Sequence, residues 1–500
     1  MSEPSYILSL DQGTTSSRAI VFDRRGSIVS TSQQETTQIF PRPGWVNQDA
    51  AEIWTTTLAT ARDAMARAGL AGSDIAAIGI ANQRETLIVW DRASGEPAAP
   101  AIVWQSRQSQ PVIDEIVERG MGASYQERTG LVPDAYFTAS KLAWLLAEDP
   151  EFRRRAEGGK LLAGTVDSWL LWNLTAGAVH ATDVSNASRT MLFDINTLAW
   201  SPDLLSDLSI PPQMLPRVVD SSGLAGTSTG GLLGADVPIT GIAGDQQAAL
   251  FGQACFAPGD AKNTYGTGSF LLMNTGDAPR PSAHRLLNTV AWRIGELTDY
   301  ALEGAVFVSG AAVGWLRDGL GIIASSEDVE PLAASVSDSD GVVVVPALTG
   351  LGAPHWDPAA RGMILGLTRG TTAAHIARAT LEAIAFQTRD VTDAMTADSG
   401  LALTALRVDG GAARNDLLLQ IQSDVLGVPV VRPTIVETTA IGAAFLAGLG
   451  SGVWQSESEL SRLWQVDRVF DPRITASERD ARYSTWQRAV DRSLGWATNT

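Results

Sequence analysis

The 500-residue sequence holds one cysteine and four histidines. A lone Cys255 excludes an intramolecular disulfide and a cysteine-ligated zinc site. His180, His284, His355 and His375 are too scattered to form an HExxH pair. Positive charge is also scarce: 37 Lys plus Arg stand against 55 Asp plus Glu, a formal net charge of −18. Such a surface repels nucleic acid and anionic membrane, so neither is expected as a partner. An anionic ligand would need a local site built from backbone amides, a few arginines or a metal. No run of about 18 apolar residues suggests a membrane span. The N-terminal MSEPSYILSLDQG is acidic and reaches a glycine turn too early for a signal peptide, so a soluble, cytoplasmic protein is expected. There is no GxxxxGK[ST] and no strand-anchored GxGxxG. A GxSxG string occurs at Gly226-Thr227-Ser228-Thr229-Gly230, but it reads as a loop rather than a hydrolase elbow.

What is present is ample core material: 45% hydrophobic residues with 18% charged and 7% aromatic. That excludes a mainly disordered chain, and the length exceeds the roughly 250–300 residues that one core supports. Residues 6–10, 18–22 and 28–32 read as a strand meander. A helix is predicted over 49–69, with Asp49 and Glu52 at capping-box spacing and Gly69 ending it. Residues 75–81 and 86–90 read as strands. The second half repeats this grammar: a hairpin over 263–274, a strand at 342–345, a helix over 375–397, a strand entering glycines at 407–411 and a helix from 415 to 426. Two related α/β domains facing each other is the simplest architecture, divided as 1–253 and 254–500.

Three glycine turns carry chemistry. In Asp11-Gln12-Gly13-Thr14-Thr15-Ser16-Ser17-Arg18 a strand-end carboxylate can hold a metal through water, while small residues let backbone N–H groups approach phosphate oxygens. Tyr265-Gly266-Thr267-Gly268-Ser269 is the same device in the other half. Val408-Asp409-Gly410-Gly411-Ala412-Ala413-Arg414-Asn415 lets a flat ring lie on backbone, with a helix N-terminus beyond it. Each alone also reads as a plain turn.

These segments, in this order, together with GDQQAALFGQ, DVSNASRTMLF, AKNTYGTGSF, ALEGAVF and TGLGAPHWDP, resemble the FGGY family of carbohydrate kinases from about residue 5 to 490. The family's two signature stretches are visible at 136–148 and 362–382. The resemblance implies two ribonuclease-H-like domains of the actin/hexokinase/Hsp70 type around a central cleft. It implies ATP and Mg²⁺ as cofactors, and phosphorylation of glycerol to sn-glycerol 3-phosphate. A symmetric dimer or tetramer is the general expectation for such enzymes. Carried over, Thr14, Thr15, Ser16 and Arg18 would meet nucleotide phosphates from the first domain, and Thr267 and Gly310 from the second, with Gly314 also at the nucleotide. Gly411 and Asn415 would hold the adenosine side. Asp11 and Asp245 would position the metal. Arg84, Glu85, Trp104, Tyr136, Asp245, Gln246 and Phe270 would grip the polyol, with Asp245 as catalytic base in the loop after residues 238–243. Taken without the resemblance, Arg84-Glu85 reads as an exposed strand-edge pair and Trp104 as a core aromatic.

Some positions depart from the family pattern. Ala135 stands where Pro is common, Gln108 where a second Arg is frequent and Gly314 where a Gln often approaches the nucleotide. Asp236 occupies the place of an Arg that, in some members, binds fructose 1,6-bisphosphate. Two alternatives stay open: a kinase for another small polyol or ketose (erythritol, threitol, dihydroxyacetone), and an actin- or Hsp70-like ATPase switch.

Overall fold

The computed structural model of the protein describes residues 5–497. Apolar residues of Tyr6–Gln12 and Ser16–Phe22 are buried, and the two strands pair antiparallel, with Ile28–Glu35 added at the edge. On the other side of Tyr6–Gln12, Ile75–Asn82 and then Pro238–Gly244 join in parallel. The second half builds the same arrangement. Ala261–Tyr265, Ser269–Gly276 and Leu297–Val306 form the antiparallel meander, and Leu406–Asp409 and Val430–Pro433 follow in parallel. The predicted repeat is thus physical: three antiparallel strands, then two parallel ones reached by helical crossovers. Both sets belong to one 13-stranded sheet.

Local signals mostly fell where the residues placed them. Helix Ala50–Ala68 starts at Asp49, whose side chain accepts from the Ala51 N–H, and ends at Gly69 in the left-handed conformation. The capping box does not close, because the Glu52 carboxylate instead accepts from the Thr37 N–H at 3.1 Å and its hydroxyl at 2.9 Å. The GxSxG segment is not simply a loop. Gly226 and Thr227 end strand Ser222–Thr227, and Gly230 starts the short helix Gly230–Leu233. Ser228 is buried and its Oγ accepts from the Val237 N–H at 3.1 Å, so no nucleophile is presented. Among the described residues, no helix is long and apolar enough to cross a membrane.

One helix ties the halves together. Thr438–Ser451 (TTAIGAAFLAGLGS) comes late in the chain yet lies on the strands of the first half. Ser9, Ser222 and Thr240 each donate a hydroxyl to its carbonyls, at Ala440, Leu446 and Ala447, at 2.7–2.8 Å. It crosses helix Asp245–Gly252 so closely that a Cβ at Gly442 would run into the Ala248 carbonyl, and one at Gly252 into the Thr438 carbonyl. Gly442→Ala should therefore cost about 1–3 kcal/mol by overpacking, whereas Gly231→Ala, which meets nothing within 4 Å, should stay within about 0.5 kcal/mol. Urea denaturation of the two variants checks this; equal stability would contradict the packing account.

Candidate active site

Strands Tyr6–Gln12, Ile75–Asn82 and Pro238–Gly244 run parallel and end at one edge of the sheet. Asp11 is register partner of Ala81, and Ala81 of Ala243, two residues before Asp245. The two expected metal-binding carboxylates therefore come to neighbouring strand ends. Asp245 is the first residue of helix Asp245–Gly252, not a loop residue as the sequence suggested. The segment DQQAALFG is buried on nearly every side, so it shows no amphipathic stripe to announce a helix. Gly244 makes the turn, since a Cβ there would stand 2.7 Å from the Arg84 side chain.

Burial pushes Asp11 up to about 7, with Arg18 opposing and the charges of Asp245 and Glu437 adding to the rise. Burial also raises Asp245, against the pull of Arg84 and Lys262. Its side chain keeps 30% of its surface open, so the carboxylate can be approached. Two carboxylates held close in poor solvent suit a small hard cation with oxygen ligands. Nowhere among the described residues do three or more His, Cys, Asp or Glu gather into a metal cage. Phosphate oxygens and water would have to complete the shell, which is how Mg²⁺ is usually held.

Beside this edge lies a buried charge network. Arg84 and Glu85 are both fully buried rather than an exposed strand-edge pair, and Glu85 has a positive φ of 60°, rare outside glycine. Arg84 Nη1 and Nη2 donate to Glu303 at 2.5 and 3.0 Å, and Arg189 Nη2 donates to the same carboxylate at 2.9 Å. Arg189 Nε donates to Glu85 Oε1 at 2.7 Å, and Arg84 Nε lies 3.2 Å from Asp245 Oδ1. Burial works to raise Glu303, but the Arg189 and Arg84 guanidiniums overcome it and hold the carboxyl at about 2. Arg189 also stacks over the rings of Phe137 and Tyr136, at 5.5 and 5.9 Å.

The other residues expected to grip the polyol attach to this network. Trp104 meets Tyr136 edge-on at 5.5 Å, only half-buried at the site rather than inside a core. Its indole N–H donates to Thr14 Oγ1 at 2.8 Å, joining the residues expected at the polyol to the first glycine turn. Gln246 and the Phe270 carbonyl are linked through the buried ammonium of Lys262. Burial lowers Lys262 to about 8, with Asp409, Asp245 and Glu303 resisting.

Of the residues expected to meet nucleotide, Thr14, Thr15 and Thr267 lie on turns, Ser16 and Arg18 on strand Ser16–Phe22, and Gly310 and Gly314 on helix Gly310–Asp318. In the first hairpin the Gly13 N–H donates to Ser16 O at 2.9 Å, Thr15 is exposed and Ser16 Oγ accepts from Gln33. Arg18 differs: it is ion-paired with Glu437, at the start of the cross-half helix. In the second half the Gly310 N–H donates to Gly266 O at 3.0 Å, fastening helix Gly310–Asp318 to the exposed Thr267 turn. A Cβ at Gly314 or Gly411 would meet nothing within 4 Å, which leaves open backbone for a flat ring. Asn415 caps helix Asp416–Leu426, its Oδ1 accepting from the Leu418 N–H at 2.8 Å, and this cap leaves its amide N–H₂ unused.

Comparisons with known proteins identify the family. The model of the FGGY family of carbohydrate kinases, N-terminal domain, matches residues 6–252, and that of its C-terminal domain residues 261–451. The chain belongs to the FGGY family of carbohydrate kinases. Among curated relatives, "Glycerol kinase" of Dechloromonas aromatica is 58% identical over 495 residues, covering 99% of both chains. "Glycerol kinase" of Aromatoleum aromaticum is 60% identical over 492 residues, covering 98% of this chain and 99% of its own. Among solved structures, Plasmodium falciparum glycerol kinase with ADP superposes with a TM-score of 0.93 at 36% identity, covering 98% of each chain. The two-domain FGGY fold, mixed α/β with a large central sheet, is the one expected from sequence.

Sequence reasoning about this family member missed Arg189, Glu303 and Lys262. Each lies in a stretch that resembles the family (DVSNASRTMLF, ALEGAVF, AKNTYGTGSF), but the partners of Arg189 and Glu303, and Gln246 for Lys262, lie outside the stretch of the residue they meet. Removing one member of a buried ion network leaves the others uncompensated, so Glu303→Gln should cost about 3–5 kcal/mol. Because Glu303 titrates near 2 against an ordinary 4.5, its contribution is complete above the ordinary value and is lost only as pH falls towards the lower one. The gap to wild type in denaturant should then be full at about pH 6 and narrow as pH falls below about 4.5. A gap under about 0.5 kcal/mol would mean the network is not stabilising.

Proposed function

We propose that the protein transfers the γ-phosphoryl group of ATP to glycerol, giving sn-glycerol 3-phosphate. The observation that carries this reading is Arg84, which touches Asp245 on one side and the buried Glu303 on the other, beside Glu85, Tyr136 and Trp104. Such a set offers donors, acceptors and aromatic walls to a small polyol, next to a carboxylate at the phosphate edge. The curated relatives that share most of the sequence bear the name glycerol kinase, and the ADP-bound structural neighbour does too.

The mechanism follows from atoms of this chain. Asp245 Oδ1 accepts from its own Gln246 N–H at 2.7 Å and faces Arg84 Nε at 3.2 Å. Oδ2 has no protein donor among the described residues, so it is the atom left to take the substrate hydroxyl proton. As the hydroxyl oxygen bonds to the γ-phosphorus and the bond to ADP breaks, that proton passes to Oδ2. Mg²⁺ bound with ATP would neutralise the phosphoryl charge, with Asp11 and Asp245 as its protein ligands. Trp104 and Phe270 exclude water from the reacting hydroxyl. Arg18 exchanges its Glu437 partner for nucleotide phosphate.

Fold-level likeness fixes neither the polyol nor its regulation. Purified protein with ATP and a panel of glycerol, dihydroxyacetone, erythritol and threitol should show highest kcat/KM for glycerol; a clear preference for a C4 polyol would reassign the substrate. Asp245→Asn should cut kcat at least ~10²-fold with little change in glycerol affinity, and near-normal turnover would remove Asp245 from the mechanism. Activity should also be insensitive to millimolar fructose 1,6-bisphosphate. Asp236 Oδ1 already accepts from the Gly230 N–H at 2.7 Å, so a carboxylate of the chain itself fills the loop where an anion would sit. Inhibition that persists in Asp236→Ala would place the effector elsewhere.

A further inference from the structure

The chain has only three lysines, Lys141, Lys160 and Lys262, so arginine carries nearly all its positive charge. Lys262 is fully buried on strand Ala261–Tyr265 of the second half. An ammonium has three N–H donors and no acceptor. Its neighbours match that inventory: Gln246 Oε1, Thr264 Oγ1 at 2.8 Å and the Phe270 carbonyl at 3.3 Å. The amide orientation of Gln246 follows, since only its oxygen can face a group that can solely donate. Gln246 Nε2 then points away from Lys262 and has no acceptor among the described residues, although Gln246 is just 7% exposed. The same residue gives its backbone N–H to Asp245 Oδ1. An amide donor with no protein acceptor thus faces the open side of a largely enclosed residue next to the proposed base, its orientation dictated from the opposite half of the molecule.

We propose that Lys262 is a positioning residue for the polyol: by occupying Gln246 Oε1 it commits Nε2 to donate to a substrate hydroxyl oxygen. This rests on the reading of the site as a polyol kinase and adds a specificity rule to it. The substrate must bring an acceptor oxygen to Gln246, and the enzyme selects for it only while both halves are in place, because the lysine and the glutamine come from different halves. A point charge at the end of a narrow stem fits this role; a planar guanidinium does not.

The test is a double-mutant cycle on the full-length protein with glycerol and ATP varied in turn. Wild-type turnover is measured first, and absence of glycerol phosphorylation would refute the polyol-kinase reading itself. Given turnover, Lys262→Met should raise glycerol KM at least ~10-fold while ATP KM stays within ~2-fold. In a Gln246→Leu background the same change should move glycerol KM less than ~2-fold, because the amide it orients is gone. Equal effects in both backgrounds, or no change in glycerol KM in either, would overturn the proposal and leave the enzyme's function intact. Should Lys262→Met fail to fold, Gln246→Glu decides: it keeps the bond to Lys262 but offers only acceptor oxygens. Its glycerol KM should rise at least ~10-fold with undiminished thermal stability; a wild-type KM would refute the donor role.

Discussion

The whole site depends on a carboxylate that water never reaches. Glu303 projects from a strand of the second half into the first, where it accepts from Arg84 and Arg189 together. Each guanidinium meets a further carboxylate, Asp245 or Glu85. Buried charges are costly to desolvate, and attraction offsets that cost only if every partner is in place. The network is therefore all-or-none. Losing the register between the halves would strand two arginines in a dry interior, so assembling the polyol residues and docking the halves are one event.

Backbone packing makes that docking possible. The glycine-rich helix Thr438–Ser451 lies against Asp245–Gly252 with no room for side chains at the crossing. The helix that begins with the proposed base is thus fixed by backbone-to-backbone contact. The Trp104–Thr14 hydrogen bond then connects polyol and phosphate sides, and Lys262 connects Gln246 to Phe270 across the halves. Glu437 holds Arg18 in an ion pair beside the first glycine turn, where we propose that phosphate binds.

Much of this was legible in the residues because it is local. A glycine turn between two apolar runs specifies a hairpin wherever it lies, and Asp49 and Gly69 bound a helix by satisfying its own end groups. The repeat of hairpin and parallel strands was visible for the same reason. What escaped was set at a distance. Glu52 found Thr37 instead of its own helix end, and Arg84-Glu85 looked exposed because the further charges that allow its burial are far away in sequence. Its neutralising partners come from 219 residues away for Arg84 and 104 for Glu85. Asp245 was placed correctly at the strand end but assigned to a loop, since a helix buried all round shows no polar face to betray its period.

Calorimetric titration of Glu303→Gln beside the wild type tests the dependence on Glu303 most directly, with glycerol and ADP titrated separately into folded protein. If Glu303 sets the polyol residues by gripping both arginines, glycerol affinity should fall at least ~10-fold while ADP affinity stays within ~2-fold. Undiminished glycerol affinity in the variant would show that Arg84 and Glu85 hold their positions without the second half, and would contradict the account.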